Sequence, residues 1–211
     1  MSAVKVMDLE RCNQKFKEKF LPHDNMVKVY DIFKSGGKIY IFMEFCPNGT
    51  LADIVKKGGP CPEDKTKYWF KQVNNALHFM HADKGICHRD IKVENVLLDR
   101  NDNVKLSDFG FAREVVVNGE IVLSSTYCGT EPYYCPELVK KRDKRDSVLN
   151  YDPFKADTFA MGVMLFAMLN NKFPYHFDKR QYQEQISHGY KYRPEVELLV
   201  GLYFSTTYVK F

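Results

Sequence analysis

Short runs that suit β-strands open the chain, and longer segments of helical spacing follow them. Residues 1–7 alternate between apolar and polar side chains, which predicts a strand. Residues 27–33 and 39–43 are apolar runs on either side of a turn segment that contains Gly36 and Gly37. We therefore predict a β-hairpin in this region.

Two later segments carry helical signals. Pro62 is followed by Glu63 and Asp64, which suit the first turn of a helix. Apolar residues then recur at helical spacing up to Met80 and predict a core-facing stripe. Residues 160–169 are apolar almost all round, as expected for a buried helix. His78 and His81 lie near the first stripe without metal-ligand spacing, so the stripe is interpreted as packing alone.

Composition narrows the class of protein. The formal net charge is only +4 and basic and acidic residues are interleaved, which argues against nucleic-acid binding. The densest basic run, residues 140–145, is interpreted as a solvated loop. Six cysteines lack C-x-x-C spacing and no signal peptide precedes them, so we expect a reduced, cytoplasmic protein. The longest apolar run is about half of what a bilayer-spanning helix needs, so we expect no membrane partner.

The strongest candidate chemistry lies in residues 88–95, of sequence HRDIKVEN, and in the DFG triplet at 108–110. Between them, apolar residues 96–98 and 104–106 flank turn-forming residues, which predicts a short hairpin. That hairpin would bring Asp90, Asn95 and Asp108 to one place, beside Lys92. Two carboxylates, an amide and a lysine suit a hydroxyl group, a metal ion and a phosphate.

These two motifs resemble the catalytic and metal-binding loops of protein kinases. The resemblance implies that Asp90 accepts the proton of the substrate hydroxyl and that Lys92 neutralises charge on the transferred phosphoryl group. It also implies that Asn95, the third catalytic residue, and Asp108 hold Mg²⁺ through oxygen atoms. A lysine at position 92 is typical of kinases that act on serine and threonine.

The first strand resembles the small-lobe strand whose lysine binds the α- and β-phosphates of ATP. Lys5 would be that lysine, and Ala3 would pack on the adenine ring. The Gly-rich loop that precedes this strand in the family has no counterpart here, since Gly36 is the first glycine. The helix segment with the glutamate partner of the lysine also looks deleted, with Glu10 and Glu18 as substitutes.

The second strand of the hairpin ends in a segment that resembles the gatekeeper and hinge. Met43 would limit the pocket, the backbones of Glu44 and Cys46 would bind adenine, and Thr50 would lie near the ribose. The residues that the resemblance assigns to ATP are Ala3, Lys5, Met43, Glu44, Cys46, Thr50, Leu97 and Asp108.

The stretch from the DFG triplet to residues 135–137, of sequence CPE, resembles the activation segment and is expected to be irregular. Thr126, with Ser125 as second choice, is the predicted phosphosite, modified by an activating kinase or by autophosphorylation. A phosphate there would bind Arg89 through charge-assisted hydrogen bonds.

Three more residues complete the resemblance around the catalytic loop. Thr130 would bridge Asp90 and Lys92 and favour serine or threonine acceptors. Asp157 would anchor the backbone of the catalytic loop. Glu94 stands where related kinases bind a substrate arginine, which favours basic peptides.

The resemblance implies an α+β, bilobal fold. We expect an incomplete, β-rich N-lobe with its hinge in residues 1–46, a mainly helical C-lobe in 47–190 and a divergent tail in 191–211. Residues 19–22 (KFLP) and the S-x-T-x-C-G segment are similar to the testis-specific serine/threonine kinases of the calmodulin-kinase-like group.

The function that this resemblance implies is transfer of the ATP γ-phosphoryl group, with Mg²⁺, to Ser or Thr hydroxyls of proteins. The alternative is a catalytically impaired, kinase-like binding protein, or a truncated isoform that lacks the Gly-rich loop and the helix glutamate.

Overall fold

A computed structural model describes residues 1–8, 22–143 and 150–174. The predictions for Glu10 and Glu18 and for the tail from residue 191 lie outside these residues. The described strands and helices are β1 (Ser2–Asp8), β2 (Val29–Ser35), β3 (Lys38–Glu44), α1 (Leu51–Gly58), α2 (Glu63–His78), β4 (Ile86–Cys87), β5 (Val96–Leu98), β6 (Val104–Leu106), β7 (Arg113–Glu114), β8 (Val116–Val117), β9 (Glu120–Ile121), α3 (Pro136–Asp143) and α4 (Pro153–Asn170).

The first three strands form one antiparallel sheet in the order β1-β3-β2. The turn between β2 and β3 places Gly36 and Gly37 at φ 55° and 73°, a conformation that glycine adopts without steric cost. The predicted hairpin is therefore confirmed. In the β1–β3 register Lys5 lies opposite Ile41, so the lysine shares a face with a buried apolar residue.

The helices build the main core. The predicted stripe of α2 is buried, and it packs against α4, whose residues are buried almost all round. Pro153 occupies the first turn of α4, and the carboxylate of Asp152 accepts hydrogen bonds from the N–H groups of Phe154 and Lys155. Together with the sheet, this helical part gives the predicted α+β fold.

The interpretation of the basic run as a loop is wrong for its first four residues. Helix α3 continues to Asp143 and therefore includes residues 140–143. Its first turn contains Pro136 and Glu137, which suit a helix N-terminus, and lysine and arginine are good helix formers.

The activation-like stretch is more regular than predicted. Strands β8 and β9 form a small hairpin whose turn holds Asn118 and Gly119 at φ 54° and 82°. An Asn-Gly pair between short strand-like segments is a strong hairpin signal, so the sequence did contain this information. Strand β7 also pairs with β4, just before the catalytic loop.

Two expectations from composition can be compared with the described residues. Cys46, Cys61, Cys87, Cys128 and Cys135 are all free thiols, which agrees with a reduced protein. Among the described helices, none combines the length and the apolar character that crossing a membrane requires.

Candidate active site

Asp90 and Asn95 lie buried at one end of the β5–β6 hairpin. The side-chain amide of Asn95 donates to the backbone carbonyl of Asp90 at 2.8 Å and to its Oδ2 at 3.0 Å. The Lys92 Nζ atom lies 2.8 Å from the same Oδ2. Two side chains that the sequence motif placed within five positions of Asp90 therefore converge on its carboxylate.

Thr130 connects the activation-like stretch to this carboxylate. Its hydroxyl donates to Asp90 Oδ1 at 2.6 Å and accepts from Lys92 Nζ at 2.8 Å. The predicted bridge is confirmed. Because both Asp90 oxygens have fixed partners, the orientation of the carboxylate is set before any substrate arrives.

Gly129 lets the activation-like stretch lie close to the backbone of Arg89, and we predict that an added methyl group at position 129 disrupts this contact. Its φ is 103°, and an added Cβ would lie 2.7 Å from the carbonyl oxygen of Arg89. We expect Gly129→Ala to lower the free energy of unfolding by about 2 kcal/mol or more. Gly58→Ala is the matched control, because Gly58 ends α1 and its Cβ would meet nothing within 4 Å. Equal urea midpoints for the two variants would contradict the close approach.

The second half of the site joins strand β1 to the DFG triplet. Asp108 has a left-handed backbone with φ 61°, and Lys5 Nζ lies 2.6 Å from its Oδ1. Burial raises the pKa of Asp108, but the hydrogen bond and charge of Lys5 outweigh it and hold the pKa below its ordinary value. The carboxylate is therefore ionised at neutral pH, as a metal ligand must be.

A cleft of about 250 Å³ opens between the small sheet and the β5–β6 hairpin. The wall of the cleft on the sheet side is apolar. Its far end carries Lys5, Asn95 and Asp108. Met43 on this wall was assigned from the sequence, whereas Val29 of β2 and Ile41 of β3 lacked a motif and were not assigned. The cleft is lined by Lys5, Val27, Val29, Ile41, Met43, Glu94, Asn95, Leu97, Ser107, Asp108 and Phe109.

Two residues assigned to adenine lie beside this cleft and outside its lining. Ala3 is opposite Met43 in the β1–β3 register, on the face that also carries Lys5. The N–H of Glu44 donates to the Lys28 carbonyl at 2.8 Å, and its carboxylate pairs with Lys105 at 3.1 Å. The N–H of Glu44 is thus already used within the protein.

Cys46 and Thr50 also lie outside the lining. Burial, and then the charge of Glu44, raises the pKa of the half-buried Cys46 thiol to about 11, so the thiol is neutral at physiological pH. Thr50 caps α1: its hydroxyl accepts from the Asp53 N–H, and the Asp53 carboxylate accepts from the Thr50 N–H. Thr50 also forms a β-bridge with the cleft residue Leu97.

Asp157, from α4, supports the catalytic loop from below. Its Oδ2 accepts from the N–H of His88 and its Oδ1 from the N–H of Arg89, both at 2.7 Å. Arg89 has a φ of 67°, a conformation that costs a residue with a side chain roughly 1 kcal/mol or more. The predicted anchor is confirmed, and it offsets the strain one residue before Asp90.

His88, the first residue of the catalytic-loop motif, is fully buried. Its Nε2–H donates to the Ser107 carbonyl at 3.0 Å, and its Nδ1 accepts from the Asp90 N–H at 3.3 Å. Its ring packs edge-on against Phe109. Burial lowers the pKa of His88, because an imidazolium would lose its hydration. The histidine is therefore a neutral link between the catalytic loop and the DFG triplet.

This link predicts acid sensitivity. Below about pH 6.5 His88 is protonated in the unfolded chain, whereas its lowered pKa keeps it neutral in the folded chain. The free energy of unfolding therefore falls as the pH decreases below that value. Urea denaturation at about pH 7.5 and about pH 5.5 measures the fall. His23, whose pKa burial also lowers, contributes to the parent slope, so the comparison with His88→Gln isolates His88. An identical slope in parent and variant would show that His88 does not contribute.

The predicted phosphosites lie on the surface near the catalytic loop. Ser125 and Thr126 are exposed, while Ser124 is buried and its hydroxyl accepts from the Thr126 N–H. The Nε–H of Arg89 donates to the Phe111 carbonyl at 2.6 Å. Its Nη1 is buried without a hydrogen-bond partner among the described residues.

This arrangement agrees with comparisons to known proteins. The model of the protein kinase domain family matches residues 3–199. The chain therefore belongs to the protein kinase family.

Its relatives include several serine/threonine kinases. Testis-specific serine/threonine-protein kinase 1 of Mus musculus is 37% identical over 186 residues, covering 82% of this chain and 49% of the relative. Testis-specific serine/threonine-protein kinase 4 of Homo sapiens is 33% identical over 198 residues, covering 83% and 58%. Serine/threonine-protein kinase kin-29 of Caenorhabditis elegans is 36% identical over 160 residues, covering 76% and 18%. The chain thus spans about half the length of the testis-specific relatives named here.

Proposed function

We propose that this protein is a serine/threonine protein kinase that transfers the γ-phosphoryl group of ATP to protein hydroxyls. The observation that carries the proposal is the constellation of Asp90, Lys92, Asn95 and Thr130 at the edge of a cleft that also contains Lys5 and Asp108. The kinase relatives support the same reaction class.

In this proposal each residue of the constellation has one task. Asp90 accepts the proton of the substrate hydroxyl, and Thr130 and Asn95 hold its two oxygens in place. Lys92, 2.8 Å from Asp90, supplies positive charge where the phosphoryl group passes. Phosphoryl transfer depends chiefly on such positioning and charge stabilisation, so a prearranged site is what the reaction requires.

The residues present also fit a magnesium nucleotide. Among the described residues there is no cluster of three or more His, Cys, Asp or Glu side chains that could hold a metal alone. Mg²⁺ in phosphoryl-transfer sites takes only one or two protein oxygens and completes its shell with water and phosphate. Asp108 and Asn95, on the same cleft, would supply those oxygens, since the Asn95 nitrogen is already used on Asp90. Bound there, the ion would neutralise phosphate charge, while Lys5 would bind the phosphates.

Two features support proposals about the substrate class and about regulation. Glu94 is exposed and lines the cleft, and its carboxylate accepts a hydrogen bond from Tyr133 at 3.4 Å, so a cationic substrate side chain could pair with it. Among the described residues Nη1 of Arg89 has no hydrogen-bond partner, and Arg89 is the residue that a phosphate on Thr126 would bind. This supports regulation by phosphorylation. We therefore favour basic peptide substrates and activation at Thr126. The cytoplasmic location stays a prediction.

The test is transfer of labelled phosphate from ATP to a pair of peptides that differ only by arginines or glutamates before a single serine. We expect phosphoserine in the basic peptide and several-fold less in the acidic one. Glu94→Gln should reduce the difference in labelling between the basic and the acidic peptide without abolishing phosphoryl transfer. Absence of phosphoserine from both peptides, in a folded sample, would contradict the proposed reaction. Equal labelling of the two would contradict the substrate class alone.

A further inference from the structure

His81 has no part in the sequence motifs, yet it makes a buried contact with the support of the catalytic loop. A π-helical segment, Phe79–Asp83, follows α2 and carries it. Its side chain is buried, and its Nε2 lies 2.9 Å from Oδ2 of Asp157. The ring also packs on Phe154 of α4, with centroids 4.5 Å apart. Short π-helical segments occur frequently at functional sites.

The tautomer of His81 follows from its partners. A carboxylate can only accept, so Nε2 carries the proton in this hydrogen bond. The Nδ1 atom is buried and has no hydrogen-bond partner among the described residues. A proton on Nδ1 would therefore be a buried donor without an acceptor. The arrangement gives His81 one hydrogen-bond target among the described residues, Asp157.

Asp157 accepts hydrogen bonds from three donors, of which two are buried and one is partly buried. Oδ2 of Asp157 accepts from both His81 and the His88 N–H, and Oδ1 accepts from the Arg89 N–H. The two backbone bonds hold Arg89 in its left-handed conformation, directly before Asp90. A carboxylate without the histidine could rotate about its χ2 bond, and its two oxygens would then leave these N–H groups.

We propose that His81 is a positioning residue of the catalytic loop, which acts through Asp157 on the peptide groups of His88 and Arg89 and so on the placement of Asp90. As far as catalysis is concerned, this inference rests on the proposed kinase function. The backbone effect does not depend on it.

The experiment compares His81→Phe, which keeps a packed ring without a donor, with His81→Gln, which keeps an N–H near the position of Nε2. His78→Phe is the matched control, since His78 is exposed on the same helix. Amide hydrogen exchange of residues 87–91 and the kcat and KM of phosphoryl transfer are measured on the full chain. His81→Met, also without a donor, replaces the phenylalanine variant if that protein does not fold.

We expect the donor-free variant to exchange these amides about tenfold faster and to lose about tenfold in kcat, with KM for ATP unchanged. Glutamine should restore both to within about threefold of the parent, and His78→Phe should change neither. The proposal would be overturned if the amides of the donor-free variant exchanged at the rate of the parent. It would also be overturned if the glutamine variant lost as much in exchange protection and kcat as the donor-free variant. If no protein transfers phosphate while the exchange pattern holds, the positioning role stands and the proposed function fails.

Discussion

Asp90→Asn should reduce phosphoryl transfer by about 10²–10⁴-fold while leaving the fold intact. Asparagine has the shape of aspartate, but its amide is not a base that can accept the proton of a substrate hydroxyl. The Thr130 hydroxyl can still donate to the oxygen at position Oδ1, and Asn95 can still donate to the backbone carbonyl. The loss should therefore appear in kcat, with KM for ATP nearly unchanged.

The measurement is incorporation of labelled phosphate into a serine peptide, with melting temperatures recorded for every variant. Asp64→Asn is the control, since it makes the same chemical change at an exposed position of α2. It should retain parental activity. A transfer rate in Asp90→Asn within a few-fold of the parent would show that Asp90 is not the base.

Asp157→Ala should lower the free energy of unfolding by about 3–5 kcal/mol. The change leaves three donors without their acceptor: the buried Nε2 of His81 and N–H of His88, and the partly buried N–H of Arg89. Each unsatisfied buried donor costs about 1–3 kcal/mol, and a small domain has only about 5–15 kcal/mol in total. We therefore expect a large shift of the urea midpoint, and loss of folding at physiological temperature if the parent is near the lower limit.

Asp152→Ala provides the comparison, because Asp152 lies at the start of the same helix and caps it with two hydrogen bonds. Loss of an N-cap costs about 1 kcal/mol. Both changes remove a carboxylate and leave alanine, so the difference between them reports the buried network. Equal costs for the two variants would mean that the contacts of Asp157 with the loop contribute little to stability.

Local patterns were sufficient for much of the fold and for the catalytic loop. The Gly36-Gly37 turn, the stripe of α2 and the hairpin that carries Asn95 are set by neighbours in sequence, and all three occur in the structure. The contact of Thr130 with Asp90 spans 40 residues, but a family motif indicated it. A single sequence gives no distances between residues far apart in the chain, so this contact could be predicted only from the family motif.

The pairing of Lys5 with Asp108 illustrates what could not be predicted. These residues are 103 positions apart, and their contact depends on how strand β1 lies over the DFG triplet. In the sequence the usual glutamate partner of Lys5 looked deleted, with Glu10 or Glu18 as substitutes, whereas in the described residues the partner is the predicted metal ligand Asp108. His81 is similar: its helical spacing indicated packing, and only the π-helical segment and the position of α4 bring it to Asp157.

We propose that the cleft holding Lys5, Asn95 and Asp108 is a magnesium–nucleotide site. A thermal unfolding titration with Mg·ATP tests it most directly, on this chain and on Asp108→Asn, with ATP plus a chelator as the metal-free control. Removing the exposed pair with Lys5 should itself cost no more than about 1 kcal/mol, so the two proteins should start from similar melting temperatures.

A ligand that binds only the folded state stabilises it by about 2.7 kcal/mol at a hundredfold excess over Kd. We predict that the melting temperature of the parent rises steadily with Mg·ATP, and that the rise is lost in Asp108→Asn and weakened without Mg²⁺. A folded parent whose melting temperature does not move, or a variant that shifts as far as the parent, would contradict the assignment of this cleft.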